Sequence, residues 1–185
     1  MKQSHFDVRS LAFLSIYAAL IFVSIQFFRI PLGAQFVHLG NALVVIAFLL
    51  FGLYQGFLAA AVGLAVFDLL NGYAAEIPVI LLEAAAVGLV VYLVYDRLFQ
   101  EKDQPLQILT VAVGAALIKI LLNLVRYALI NILAANLPLD QALLASIDKI
   151  AGTFGSAAVT VIAVPILYPI LKRGLQPFRL PFRTK

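Results

Sequence analysis

The segment QILTVAVGAALIKILLNLVRYALINILA, residues 107–134, decides the fold class. It is apolar over more than the roughly 20 residues a helix needs to cross a bilayer, yet it carries Lys119, Asn123, Arg126 and Tyr127. At 100° per residue those four fall within an arc of about 100°. An apolar rod with a single polar stripe belongs in a membrane, with the stripe turned toward neighbouring helices.

The rest of the chain has the same character. Of its 185 residues 64% are hydrophobic and 12% charged, with a mean hydropathy of +1.06. A soluble domain has about 45–50% apolar and about 25% charged residues, and a soluble fold of this length could not hide the difference. Five further apolar runs flank the first. Residues 10–28 end at Arg29 and Pro31, and residues 37–51 begin with the polar stretch HLGN (38–41). Residues 54–72 are rich in alanine and glycine, and residues 79–95 follow Pro78 and stop at Asp96 and Arg97. Residues 141–171 contain Pro165 and Pro169, expected to kink the last turns. The alternation of a membrane barrel is absent. The expected fold is one all-α membrane domain over residues 1–185, a six-helix bundle with spans at about 10–28, 37–51, 54–72, 79–95, 107–134 and 141–171.

Several function classes fall away. The net charge of +4 comes from scattered basic residues with no basic stripe, so no nucleic-acid partner is expected. The absence of cysteine excludes disulfides, thiolate metal sites and cysteine nucleophiles. His5 and His38 are too few and too far apart for an obvious metal cluster. There is no phosphate-binding Gly-x-x-x-x-Gly-Lys loop, His-Glu-x-x-His pair or Gly-x-Ser-x-Gly elbow. The chain is therefore expected to be no enzyme and to hold no metal or cofactor of its own. The first apolar run has no small-residue cleavage site after it and is expected to be a retained helix.

Basic residues give the orientation. With six spans both termini share one side, and that side holds Lys2, Arg9, Arg97, Lys102, Lys172, Arg173, Arg179, Arg183 and Lys185. The opposite loops hold Arg29 alone, while Lys119, Arg126 and Lys149 lie within spans. The positive-inside rule puts both termini in the cytoplasm, in the cell membrane.

On that orientation the intramembrane polar groups collect toward the outside. Asp68 and Asn71 lie near the outer end of the third span, Glu83 near that of the fourth, and Asp148 and Lys149 in the outer part of the sixth. Arg126 sits about 10 Å outward of Lys119, at 1.5 Å per residue. Ionisable groups in lipid are costly and mark either a functional site or a mutual pair. Pairing of Arg126 or Lys119 with Asp148 or Glu83 would serve the bundle alone. A pocket open to the outside would gather Glu83, Asn123, Arg126, Tyr127 and Asp148 with Gln35, His38, Asn41, Asn71 and Tyr73, and with Arg29 and Glu76 nearby. His38 reads equally as an interfacial residue or a ligand contact. Lys149 either faces the pocket or snorkels to the headgroups. The small residues Gly56, Ala60 and Gly63, and the series Asp148, Gly152 and Ser156, suit close packing within the bundle. Ser15 and Ala19, with Ala12 and Ala18 nearby, form a small-residue face suited to packing or to a partner subunit.

The stretches VHLGNAL (37–43), FGLYQG (51–56) and GLAVFDLLNGY (63–73), with the ending PILYPIL (165–171), resemble the substrate-binding S components of energy-coupling factor (ECF) vitamin transporters. Asn41 stands where many such proteins carry an acid, and Leu82-Glu83-Ala84 where a Lys-Gly pair commonly precedes the acid. The resemblance implies a six-helix subunit that binds a vitamin or precursor from outside and docks on a transmembrane T component carrying two ATPases. ATP and Mg would belong to those partners, and Ser15 and Ala19 would meet the T component. A pyridoxine-like or pyrimidine ligand is the favoured expectation, with pantothenate, riboflavin and cobalamin open. The alternative is a stand-alone secondary transporter or channel-like protein. Such proteins often show internal repeats and broken helices meeting at the midplane, and neither feature is read here.

Orientation is directly testable. Reporter fusions at either terminus should be active only on the cytoplasmic side, and a C-terminus accessible from outside intact cells overturns the depth assignment.

Overall fold

The computed structural model describes residues 8–33 and 35–178. Lys2, His5, Arg179, Arg183 and Lys185 lie outside the described residues. The helices are α1 (Val8–Phe28), α2 (Gly40–Leu70), α3 (Ile77–Val91, continued by a π-helical turn Tyr92–Leu98), α4 (Pro105–Leu133), α5 (Leu139–Lys149) and α6 (Ala151–Leu175). A short antiparallel hairpin, β1 (Ile30–Leu32) and β2 (Gln35–Val37), joins α1 to α2, with Ile30 opposite Val37. Among the described residues, five helical segments are long and apolar enough to cross a membrane, at Val8–Phe28, Gly40–Leu70, Ala74–Leu98, Pro105–Leu133 and Ala151–Phe178. The protein is an all-α, multi-pass membrane protein.

The second and third apolar runs both lie in α2, which is broken at Gly52 (φ 81°, ψ −179°). That conformation is essentially reserved for glycine. The break reverses the chain. In a straight helix Phe48 and Gly56 would stand about 12 Å apart along the axis, whereas a Cβ at Gly56 would lie 2.8 Å from Phe48 Cα. The break falls between the expected spans 37–51 and 54–72. The half before the break is buried at every position from 42 to 49. A helix that is apolar all round belongs inside protein, and twelve residues reach only about 18 Å. This half is accordingly the centre of the bundle. Tyr17 donates its hydroxyl to the Leu43 carbonyl (2.9 Å) and meets Phe51 edge-on.

The other helices pack around it. α1 lies against α2, α2 against α3 and α6, and α4 against α3 and α6. Gly63 admits α1, since a Cβ there would stand 2.6 Å from the Ala18 carbonyl oxygen. These contacts assign the Gly56, Ala60 and Gly63 series to internal packing.

The run over 141–171 is not one helix. The backbone breaks at Ile150 (φ −91°, ψ 17°). Five polar residues, Asp140, Gln141, Ser146, Asp148 and Lys149, give α5 the polarity of a surface helix. Asn131 of α4 holds it by donating to Ser146 Oγ (3.1 Å) and the Ala142 carbonyl (3.3 Å). Pro165 and Pro169 lie inside α6 without ending it.

At the Lys102 end, Asp103 in the α3–α4 connection accepts hydrogen bonds from Tyr95, Tyr168 (2.6 Å) and Lys172. Partial burial works to raise the Asp103 carboxyl, but these bonds outweigh it and hold its pKa below the ordinary carboxylate value. The network closes that end of the bundle by fastening the connection to α6.

Gly56→Ala should lower the thermal midpoint in detergent, because its Cβ meets backbone and overpacking costs about 1–3 kcal/mol. Gly174→Ala, where no atom lies within 4 Å of the added Cβ, should leave the midpoint unchanged. Equal midpoints for the two variants would contradict the reversal at Gly52.

Candidate functional site

A cavity of about 290 Å³ opens at the Arg29 end of the bundle. Its position follows from the hairpin. Rather than standing out from the bundle, β2 lies on the first turns of α6, where a Cβ at Gly152 would stand 2.6 Å from Gln35 Cβ. Ser156 donates its hydroxyl to the Phe36 carbonyl (3.1 Å) and accepts from the His38 amide (3.3 Å). Gln35 Oε1 accepts from both the amide (2.9 Å) and the hydroxyl (2.7 Å) of Thr153. Gly152 and Ser156 therefore act as packing positions, but for the hairpin rather than for another helix.

From Gln35 a hydrogen-bonded chain crosses the cavity wall. Gln35 Nε2 donates to Asn123 Oδ1 (3.2 Å), and Asn123 Nδ2 donates to Glu83 Oε1 (3.2 Å). The other Glu83 oxygen pairs with Lys119. Nearer the mouth Arg126 pairs with Glu76, and the Tyr127 ring lies beneath both Arg126 and Lys149 (5.3 and 5.0 Å). Arg29 braces the rim. Its guanidinium packs on the rings of Phe36 (4.8 Å) and Phe67 (5.1 Å) and donates to Asn71 Oδ1 (3.1 Å). Beneath the polar level a recess of about 20 Å³ lies between apolar residues such as Val44, Leu64, Val87 and Ala115, with Asn41, Lys119 and Thr160 also on its wall. The site thus offers an apolar floor, an upper wall of hydrogen-bonding groups, and paired charges at two depths.

Eight of the expected ligand residues line this cavity: Gln35, His38, Asn41, Tyr73, Glu83, Asn123, Arg126 and Tyr127. Two do not. Asn71 is turned into the rim structure, donating to Gln26 (2.7 Å) and to the Phe67 carbonyl (2.9 Å) while accepting from Arg29. Asp148 is exposed on α5, because the break at Ile150 takes it out of line with Gly152 and Ser156. Neither of the expected partners of Arg126 holds it, since Glu83 is taken by Lys119 and Asp148 does not line the cavity. Asp68, Glu76, Lys119, Thr153 and Ser156 also line it and were absent from the expected ligand set. Lys119 and Asp68 were visible as intramembrane charges. Thr153 carried no signal of its own beyond its place beside Gly152. Ser15 and Ala19 are exposed on α1, whereas Ala18 and Ile21 are buried. Among the described residues no group of three His, Cys, Asp or Glu could hold a metal ion.

The family model described as ECF-type riboflavin transporter, S component, matches residues 5–173. No curated protein and no solved structure matches the chain.

The Lys119–Glu83 pair is buried, with side-chain exposures of 15% and 7%. Removing one member of such a pair costs about 3–5 kcal/mol because the other is stranded. Lys119→Met and Glu83→Gln should each lower the unfolding midpoint strongly, and the double variant should recover most of the loss. Additive losses would show that the two groups do not depend on one another.

Proposed function

The chain belongs to the family of ECF-type riboflavin transporter S components, and on that premise we propose that it captures riboflavin in this cavity for an ECF-type importer. The observation that carries the reading is the cavity of about 290 Å³ with its mixed apolar and hydrogen-bonding lining. A flat ring system suits the apolar lining that Ile25, Phe36, Leu64, Phe67 and Ile80 give the cavity, and a hydroxylated chain suits Gln35, Asn123 and Arg126. Ligand pockets generally combine apolar lining with a few placed polar groups. The family match moves the ligand away from the pyridoxine-like or pyrimidine compound favoured on sequence.

In this reading the two halves of α2 count as separate passes, giving six, although the first half is short and enclosed by protein. The distribution of Lys and Arg then puts both termini in the cytoplasm and the cavity mouth outside. Energy comes from a transmembrane T component with two ATPases, which bind the ATP and Mg. The T component docks on the exposed face of α1 around Ser15 and Ala19, where small side chains let helices approach closely.

The purified protein should carry a flavin detectable by absorbance and mass spectrometry. Asn123→Ala, which interrupts the Gln35–Glu83 chain, should weaken riboflavin binding at least about tenfold, a loss of about 1.4 kcal/mol. Ser15→Trp or Ala19→Trp should abolish uptake and co-purification with the T component while leaving riboflavin affinity near normal. A folded protein with no affinity for riboflavin would overturn the substrate assignment. Full uptake by both tryptophan variants would remove α1 from the docking surface.

A further inference from the structure

A second cavity, of about 280 Å³, lies at the Lys102 end of the bundle, between the start of α4 and the last turns of α6. The charged residues on its wall are Asp103, Lys172 and Arg173. Asp103 and Lys172 pair with each other, and Glu101 and Lys102, which precede Asp103 in the chain, are opposite in sign. Arg173 is left over. It is exposed, and among the described residues its guanidinium has no hydrogen-bond or ion-pair partner. The same holds for the side-chain amide of Gln176. Lys172 donates to Asp103 and to the Tyr168 hydroxyl (3.2 Å), and an ammonium has three donors, so one remains. At 100° per residue Lys172, Arg173 and Gln176 fall within an arc of about 100°. Pro105, the first residue of α4, also lines the cavity, which brings the positive end of that helix dipole to the same place.

Unused donors beside an uncancelled positive charge suit an anion, phosphate above all. The apolar part of the groove says what carries it. Ile108, Pro165 and Pro169 line the cavity. On the α6 face below Arg173, within about 20° around the axis and about 10 and 17 Å along it, Ile166 and Ile162 are 56% and 64% exposed. A soluble anion gains nothing from that face, whereas an acyl chain covers it. We infer that this groove binds an anionic phospholipid, with the phosphodiester on Arg173, Gln176 and Lys172 and an acyl chain along Ile166 and Ile162. Basic groups at the headgroup level attract such lipids diffusely. Here the donors converge on one cavity, so one lipid is held in place. The site is separate from the ligand cavity and does not depend on what that cavity binds.

The test uses the full-length protein in detergent, offered phosphatidylglycerol and phosphatidylcholine with identical acyl chains and read by native mass spectrometry. The wild type should retain one phosphatidylglycerol, preferred over phosphatidylcholine at least about fivefold. Arg173→Gln should lower that retention at least about fivefold, the worth of one base near the headgroups. Gln176→Leu keeps the charge and should lower it at least about twofold through the lost hydrogen bond. Arg97→Gln removes the same charge at the same end but outside the cavity, and should leave retention unchanged. Size exclusion checks that each variant is folded. Glycerol 1-phosphate in millimolar excess offers the headgroup without its chains and should not displace the lipid. Full displacement would make this a site for a soluble phosphate ester and overturn the lipid assignment. A folded wild type that retains no phosphatidylglycerol, or retains both lipids equally, overturns the inference, as do equal losses in Arg97→Gln and Arg173→Gln, which would reduce the effect to diffuse surface charge.

Discussion

Glu83 is an acid inside an apolar bundle, and the need to satisfy it organises the structure around it. At 6% exposure little of Glu83 can be solvated, so its partners come mainly from the protein. Lys119 supplies the counter-charge and Asn123 a second donor, both from α4. Asn123 would in turn have an open acceptor without Gln35, and Gln35 would have one without Thr153. The chain ends on the first turn of α6. One buried acid thus links α3, α4, the β-hairpin and α6, and the cavity is the space these groups surround.

The reversal at Gly52 meets a different constraint. A hairpin that descends onto α6 delivers the chain to Gly40 already below the rim, leaving too little depth for a full-length helix before the next turn. The enclosed half of α2 solves this by being short, and it can be short because protein rather than lipid surrounds it. Its residues 42–49 need no polar face, which is why the run reads as uniformly apolar. Gly56 and Gly63 then let the returning half lie close to both its own first half and α1.

These two constraints explain what could be read from the sequence. The helical class and the polar stripe of α4 follow from periodicity, and Lys119, Asn123, Arg126 and Tyr127 do face one cavity. The clustering of charge was legible as well, because Asp68 and Glu83 lie about one turn from the run ends assigned to the same side, and both line the cavity with Lys119. Facing was not legible where the backbone departs from a straight rod. Asp148 was placed by extending α6 through Ile150, although the polarity of residues 139–149 already marked a separate surface helix. Asn71 shares a helix end with Asp68, and only the position of Arg29 and Gln26 decides that one braces the rim while the other faces the cavity. The hairpin was missed because three residues on either side of Gly33 are too few for an alternation to register. With it went Thr153, whose role exists only once Gln35 is laid on α6.

The helix α1 has two distinct sides, and the separation bears on how binding and docking coexist. Leu14, Tyr17, Ala18, Ile21 and Ile25 are buried, and Ile25 reaches the cavity wall. Leu11, Ser15, Ile16, Ala19, Leu20 and Val23 are exposed. That outer face mixes large apolar side chains with two small ones. Small side chains let a helix backbone approach closely and gain dispersion contacts along its length. Ala19 and Ile25 are about 9 Å apart along the axis and about 120° apart around it. A partner seated at Ser15 and Ala19 would rest on the same helix that contributes Ile25 to the cavity wall.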